Sequence, residues 1–149
     1  MKVMSVPTFE RFFRTAADLD VDKSDVKRYD AFVNEQIYDL LIMAQAIAKA
    51  NGRDVIEPQD LPVTKGLQEC IHRFRKLDQD IGLEPILEQL APMPQLDLAL
   101  SAETQAELPE IAGGVSLALA RAFPILDPHM RNPQTAQWER AFQLFDLLL

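Results

Sequence analysis

Cys70 and His72 stand two residues apart in this 149-residue chain, and a thiol beside an imidazole is the raw material of a nucleophile–base pair. Positions two apart on a helix face different ways, which suits neither that pair nor a shared metal. No second cysteine is present to complete a zinc site. His129 falls in the proline-marked stretch DPHMRNPQ and reads as a loop residue. The acidic pairs Asp20/Asp22 and Asp78/Asp80 carry oxygen ligands of the kind calcium takes. They lack the twelve-residue loop with its central Gly and final Glu, so they read as capping and solvated residues. Glu103, Glu107 and Glu110 recur at helical spacing without a Glu-x-x-His partner motif for a di-metal carboxylate site. Gly113-Gly114 is not followed by Gly-Lys-Ser/Thr, and reads as a place where two helices cross closely. No set of these residues supports catalysis, a cofactor or a metal, so the sequence reads as non-enzymatic.

Anion binding is the chemistry that remains. Lys65, His72, Arg73, Arg75 and Lys76 form the densest basic cluster, and Arg11 and Arg14 sit three apart among phenylalanines. Two such side chains on one face can hold a phosphate; a solvated helix end, favoured by the dipole, is the competing reading. Net charge decides little locally but much globally. The chain carries −8, and residues 1–76 hold twelve cationic and twelve acidic residues, while residues 77–149 hold three and eleven. An acidic half repels phosphates, which disfavours nucleic acid as a partner while leaving room for a local basic patch.

These residues need elements to position them. Val6-Pro7 opens a helical pattern with Phe9, Phe12, Phe13 and Ala16 at helical spacing. DLDVDKSD breaks it, and Asp22 or Ser24 can cap the next helix, with Asp25 in its first turn. That helix is long, because Val26, Tyr29, Val33, Ile37, Leu40, Ala44 and Ile47 form one apolar stripe, widened by Phe32, Leu41 and Ala48. Asn51-Gly52 stops it. Val55-Ile56 predicts a short extended segment, and Pro58 predicts the first turn of a third helix through Leu61, Leu67, Ile71 and Phe74.

The second half reads in the same order. LEPILEQLA is a short helix over 83–91, and PMPQLDLAL is a loop with an alternating apolar tail. Ser101 opens a long helix carrying Leu108, Ile111, Val115, Leu119 and Phe123, although Pro109, Gly113-Gly114 and Pro124 make it poor by propensity. Thr135 caps a last helix with Trp138, Phe142 and Phe145, whose apolar end is expected to dock on the core. The expected fold class is all-α, in one domain spanning 1–149.

Two stretches of the first half carry a resemblance. VPTFERFFRTAA has a proline followed by an arginine and an apolar pair. AKANGRDVIEPQDL supplies Gly52, Arg53, Ile56, Pro58, Asp60 and Leu61 at the spacing small residue, Gly, Arg, two residues, β-branched, any, Pro, any, Asp, aliphatic. Residues 6–76 thereby resemble the histone fold: short helix, loop, long helix, loop, short helix. In that family the arginine and aspartate pair across the loop, so the resemblance implies that Arg53 and Asp60 form a structural loop pair. Histone folds pair head to tail. The resemblance therefore implies that 83–149 is a second, degenerate histone-like half packed on the first as an intrachain pseudodimer. The chain resembles a little-characterised bacterial histone-fold family with two such halves. PHMRNPQTAQ lacks the Gly-Arg…Pro-x-Asp signature, so the second half matches by pattern alone.

The function this implies is a non-enzymatic interaction or assembly module, with a protein partner or self-association. The alternative is histone-like, nucleoid-associated DNA binding through Arg11, Arg14, Lys65, Arg73 and Arg75. Against it, Asp54 and Val55 stand where DNA-binding histones carry Lys or Thr after the loop arginine, and Asp20 where they carry a basic first-loop residue. A carboxylate facing a phosphate is repelled and costly to desolvate.

No uninterrupted apolar run approaches the roughly 20 residues of a membrane span, and MKVMSVPTFE lacks the apolar core of a signal peptide. One cysteine excludes an internal disulfide and fits a reducing compartment. A cytoplasmic protein with no membrane partner is the expectation.

Overall fold

The computed structural model describes residues 3–77 and 79–149. Among these described residues, six α-helices follow one another: α1 (Val6–Ala17), α2 (Lys23–Ala50), α3 (Lys65–Arg75), α4 (Leu83–Leu90), α5 (Ala102–Leu126) and α6 (Thr135–Leu148). Two two-residue strands, β1 (Val55–Ile56) and β2 (Ala99–Leu100), interrupt them. The chain is all-α in class, and its helix lengths run 12, 28, 11, then 8, 25, 14 residues.

Local chemistry sets most of the boundaries. Ser5 caps α1, with Pro7 in the first turn where a missing N–H is harmless. Asp22 and Asp25 form a capping box on α2: Asp22 accepts from the Ser24 N–H at 2.8 Å, and Asp25 accepts from the Asp22 N–H at 3.2 Å. Gly52, at φ +72°, turns the chain out of α2 in the left-handed region that glycine occupies without strain. Ser101 caps α5 by accepting from the Thr104 N–H at 3.1 Å.

Two starts differ from the sequence reading. Pro58 opens a separate 3-10 turn, Pro58–Asp60, rather than the third helix. Pro62 disfavours helical backbone at Leu61, which stays extended at ψ 119°, and α3 begins only after Thr64 caps it. At α6 the cap residue is Gln134, with Thr135 already helical.

One continuous core joins all six helices. Tyr29 on α2 and Ser116 on α5 share a buried hydrogen bond of 2.7 Å, and Ser116 also donates to the Ala112 carbonyl. Burial pushes the Tyr29 phenol well above its ordinary value. Trp138 on α6 is fully buried against Phe13, Phe123 and Phe142, and Phe32 stacks on Phe142 at 4.7 Å. The apolar last helix therefore docks on the core through these rings, while Leu147, Leu148 and Leu149 stay exposed. By length and composition α5 could cross a membrane; 67% of its apolar window is buried inside the protein.

The two connecting loops of α2 each meet a loop from the other end of the chain. β1 pairs in parallel with β2, Val55 opposite Ala99 and Ile56 opposite Leu100. The Ile56 carbonyl also accepts from the Ser101 N–H at 3.1 Å and from the buried Thr104 hydroxyl at 2.8 Å. At the other end the Asp20 N–H donates to the Arg131 carbonyl at 2.6 Å. Arg53 and Asp60 face each other across the loop: the Arg53 guanidinium donates to Asp60 Oδ1, and Oδ2 accepts from the Glu57 N–H at 2.9 Å. Burial of Asp60 works to raise its pKa. The Glu57 N–H and the Arg53 charge outweigh it, and the net shift is downward.

The pair generates a signed prediction. Asp60 is held below its ordinary 3.8, so its stabilisation is complete above that pH and is lost as pH falls and the carboxyl takes up a proton. Arg53→Met leaves a buried carboxylate without its cation and is expected to lower the melting temperature at neutral pH. The gap to wild type should narrow in acid. Adding Asp60→Asn should recover part of the loss, since an amide keeps the Glu57 hydrogen bond without a buried charge. A double variant no more stable than Arg53→Met would show that the pair is not what holds the loop.

Gly113 and Gly114 give a second one. A Cβ on Gly114 would lie 2.5 Å from Ile71 Cγ1 and 3.1 Å from the Ile71 backbone nitrogen, so α3 rests directly on this point of α5. Gly114→Ala is expected to cost about 1–3 kcal/mol of overpacking, read by urea unfolding. Gly66, with open space around its Cα, is the control: Gly66→Ala should leave stability unchanged or raise it. Equal midpoints for the two variants would contradict the close crossing.

Candidate functional site

Thr64 starts α3 by accepting from the Leu67 N–H at 3.2 Å, and from there the helix turns its basic residues outward. Lys65, His72, Arg73, Arg75 and Lys76 are all exposed and line an open depression along α3. The depression is not free of acid. Lys65 lies 3.6 Å from Glu69. Arg75 donates from Nε and Nη2 to both carboxylate oxygens of Glu110, at 3.0 and 2.6 Å, a bidentate pair that holds Glu110 below the usual carboxylate range. On α1, Arg14 lies 3.8 Å from Asp20. Arg11 and Arg73 make no ion pair among the described residues. Arg11 instead borders a small hollow with Phe12, Thr15, Leu77 and Gln79, just past the end of α3. Of the five arginine and lysine positions singled out for phosphate contact, Arg14, Lys65 and Arg75 are thus already beside carboxylates.

The loop ends are acidic as well. Asp18 pairs with Arg131 at 3.0 Å and Lys49 with Asp97 at 2.6 Å, while Asp54 stands exposed. Asp22 is engaged in capping α2; Asp80 is exposed, and Asp78 lies outside the described residues. Cys70 and His72 point to different sides of α3. Cys70 is buried, and burial pushes its thiol up against the opposing charges of Arg121 and Arg73. His72 faces solvent. Among the described residues no three His, Cys, Asp or Glu side chains converge on a metal-sized site.

A different surface stands out in the structure. A groove of about 510 Å³ opens between α3, α5 and α6, with Cys70, Ala118, Ile125 and Phe145 in its walls and Arg121 on its rim. A second, of about 460 Å³, lies beside it, bordered by Leu40, Ile42 and Met43 of α2 with Gln36 and Asp39. The two share Thr64, Leu67, Val115, Leu148 and Leu149 and run into one another along that seam. Large apolar side chains line them in the open: Ile125 is 80% exposed, Leu148 69% and Met43 56%. The sequence reading did not find this surface. A signal existed, since Ile42 and Met43 are apolar yet fall outside the buried stripe of α2, on the side of the helix that solvent should claim.

The same architecture occurs in solved structures. A protein of Thermus thermophilus superposes with a TM-score of 0.94 at 49% identity, covering 99% of both chains. A protein of Aquifex aeolicus superposes with a TM-score of 0.81 at 29% identity, over 96% of this chain and 94% of that one. The histone from Methanopyrus kandleri, at 16% identity, superposes with a TM-score of 0.58 over 92% and 93% of the two chains. That likeness shows the fold: the chain is an all-α histone fold. In sequence, an uncharacterized protein of Aquifex aeolicus (strain VF5) is 32% identical over 108 residues, 72% of this chain and 63% of that protein, so the match spans less than two thirds of the relative's length. Residues 9–146 match the family described as domain of unknown function (DUF1931), and the chain belongs to that family.

Proposed function

We propose that this chain is a non-enzymatic assembly module, built as two histone-like halves, 6–76 and 83–149, in one domain, and that it acts by docking protein. Support for the two halves comes from the repeated order of short, long and short helices. It comes also from the two end-to-end loop junctions, β1 on β2 and Asp20 on Arg131. The two long helices also pack on each other, with Tyr29 of α2 bonded to Ser116 of α5. In this reading Arg53 and Asp60 serve the loop and not a ligand, because Asp60 is fully buried.

The observation that carries the functional reading is the pairing of an exposed apolar groove with a basic strip that is partly paired with acids. Contiguous exposed apolar surface marks a docking site. Arg14, Lys65 and Arg75 spend their charge on Asp20, Glu69 and Glu110, so a phosphate would have to displace a carboxylate at each. Cytoplasmic placement follows from this reading and belongs to it.

The second reading is histone-like DNA binding, favoured by Arg11 and Arg73, which make no ion pair among the described residues. Fluorescence anisotropy with a random-sequence duplex of about 30 base pairs separates the two, because phosphate contacts make binding fall steeply with salt. The expected result is no binding at near-physiological salt and none at low salt that Arg11→Glu with Arg14→Glu abolishes. Tight low-salt binding, lost in that double variant, would make DNA binding the function instead.

A further inference from the structure

We propose that the groove between α3, α5 and α6 binds a small amphipathic monoanion, a straight-chain alkanoate whose tail lies along the groove floor and whose carboxylate meets Arg121. The inference goes beyond the assembly-module reading and holds whether or not a protein docks on the same surface.

Size and lining point to an alkyl chain. At about 510 Å³ the groove falls within the range of small-molecule sites, roughly 300–1,000 Å³. Val115, Ala118, Ala122 and Ile125 recur at steps of three and four along α5, so they form one face of that helix. The two alanines leave the room that longer side chains would fill. Leu144 and Phe145 of α6 make the opposite wall, and Ile125 and Leu148 stand exposed at the mouth. Polar groups are few. Thr64 already accepts the Leu67 N–H at 3.2 Å, and Cys70 is buried. Such a lining has little to offer a sugar, which needs many hydrogen bonds, and much to offer a hydrocarbon tail.

Charge chooses the head group. Arg121 is exposed on the rim and makes no ion pair among the described residues. The Cys70 sulfur is its hydrogen-bonding neighbour, which leaves most of the guanidinium's five N–H donors open. Glu69 lines the same side of the groove, and Lys65 stands 3.6 Å from it. Two cations against one carboxylate leave a single positive charge at this mouth, which suits a monoanion. A dianion would bring a second charge beside Glu69 with nothing to meet it. The planar fork of an arginine matches a carboxylate with two parallel hydrogen bonds. The neighbouring groove has Asp39 and Gln36 but no cation among its lining residues. It repels the head group, so the carboxylate stays at Arg121 and only the tail can run toward the shared seam.

Isothermal titration calorimetry of the full chain with hexanoate, octanoate and decanoate tests it, with decanol and decylamine as head-group controls. Affinity for the alkanoates is expected to rise about two- to fourfold per added methylene as the tail leaves water, and decylamine should bind least. Arg121→Gln, at an exposed position that folding does not need, is expected to weaken decanoate about tenfold and to leave decanol unchanged. Glu69→Gln, which removes the groove's own carboxylate, should tighten decanoate. Ala122→Phe should block the groove to acid and alcohol alike, with circular-dichroism melts confirming that the variant folds. Decanoate should also slow alkylation of Cys70, the chain's single cysteine. Absence of binding by all three alkanoates overturns the inference. So does decanoate binding that decylamine equals, that Arg121→Gln leaves unchanged, or that leaves the Cys70 labelling rate as it was. The titration uses the chain alone, so its failure leaves the assembly-module reading in place; that reading fails separately, on salt-sensitive DNA binding.

Discussion

A helix that is apolar on most of its circumference must be covered on most of its circumference, and α5 imposes that requirement on everything else. It packs against α1, α2, α3, α4 and α6. Its own sequence argues against a helix at Pro109, Gly113-Gly114 and Pro124. Propensity loses here because burial is worth more: each large apolar side chain removed from water returns about 1.5–3 kcal/mol, against about 1 kcal/mol for a helical glycine. The glycines are then an advantage. They thin α5 where α3 crosses it, and Ile71 and Phe74 fill the space their missing side chains leave.

That hub explains the fixed ends. A long helix crossing another is free to pivot unless its termini are held. Here β1 pairs with β2, and the Ile56 carbonyl gathers both the Ser101 N–H and the Thr104 hydroxyl at the first turn of α5. Asp60 holds the preceding loop in shape through Arg53 and the Glu57 N–H. The far junction, Asp20 on Arg131 with Asp18 paired to the same arginine, does the corresponding work between α1–α2 and α5–α6. Surface pairs such as this add little energy singly, so the core orders the helices and the junctions fix their register.

The long helices and the first were legible because each has a physical signature in the sequence: Pro7 at the opening of α1, Asp22 and Ser101 as caps, Gly52 as a stop, and apolar spacing of three and four along α2 and α5. The start of α3 was not, because a proline at Pro58 suits a first helical turn and a 3-10 turn equally. Only the next proline, acting on Leu61, decides between them. The groove was illegible for a different reason. Ile42, Met43, Ile125 and Leu148 lie on separate stretches of three helices, and nothing in their local spacing says that folding will place them on one surface. The basic residues were legible as a cluster but not as neutralised charges. Glu110 meets Arg75 from 35 residues away, and sequence spacing cannot show such a partner.

Charge and burial together then narrow what the fold is used for. A histone fold that holds DNA needs cations standing free at its loop ends, where phosphates approach. In this chain those ends carry Asp18, Asp20 and Asp54, and the cations nearby, Arg131 and Arg14, are drawn onto Asp18 and Asp20. Arg121, which makes no ion pair among the described residues, sits elsewhere, beside an apolar channel between α3, α5 and α6. Desolvating such an arginine is tolerable only if a carboxylate meets it. In the proposed docking reading, a partner seated there brings acid and apolar side chains together.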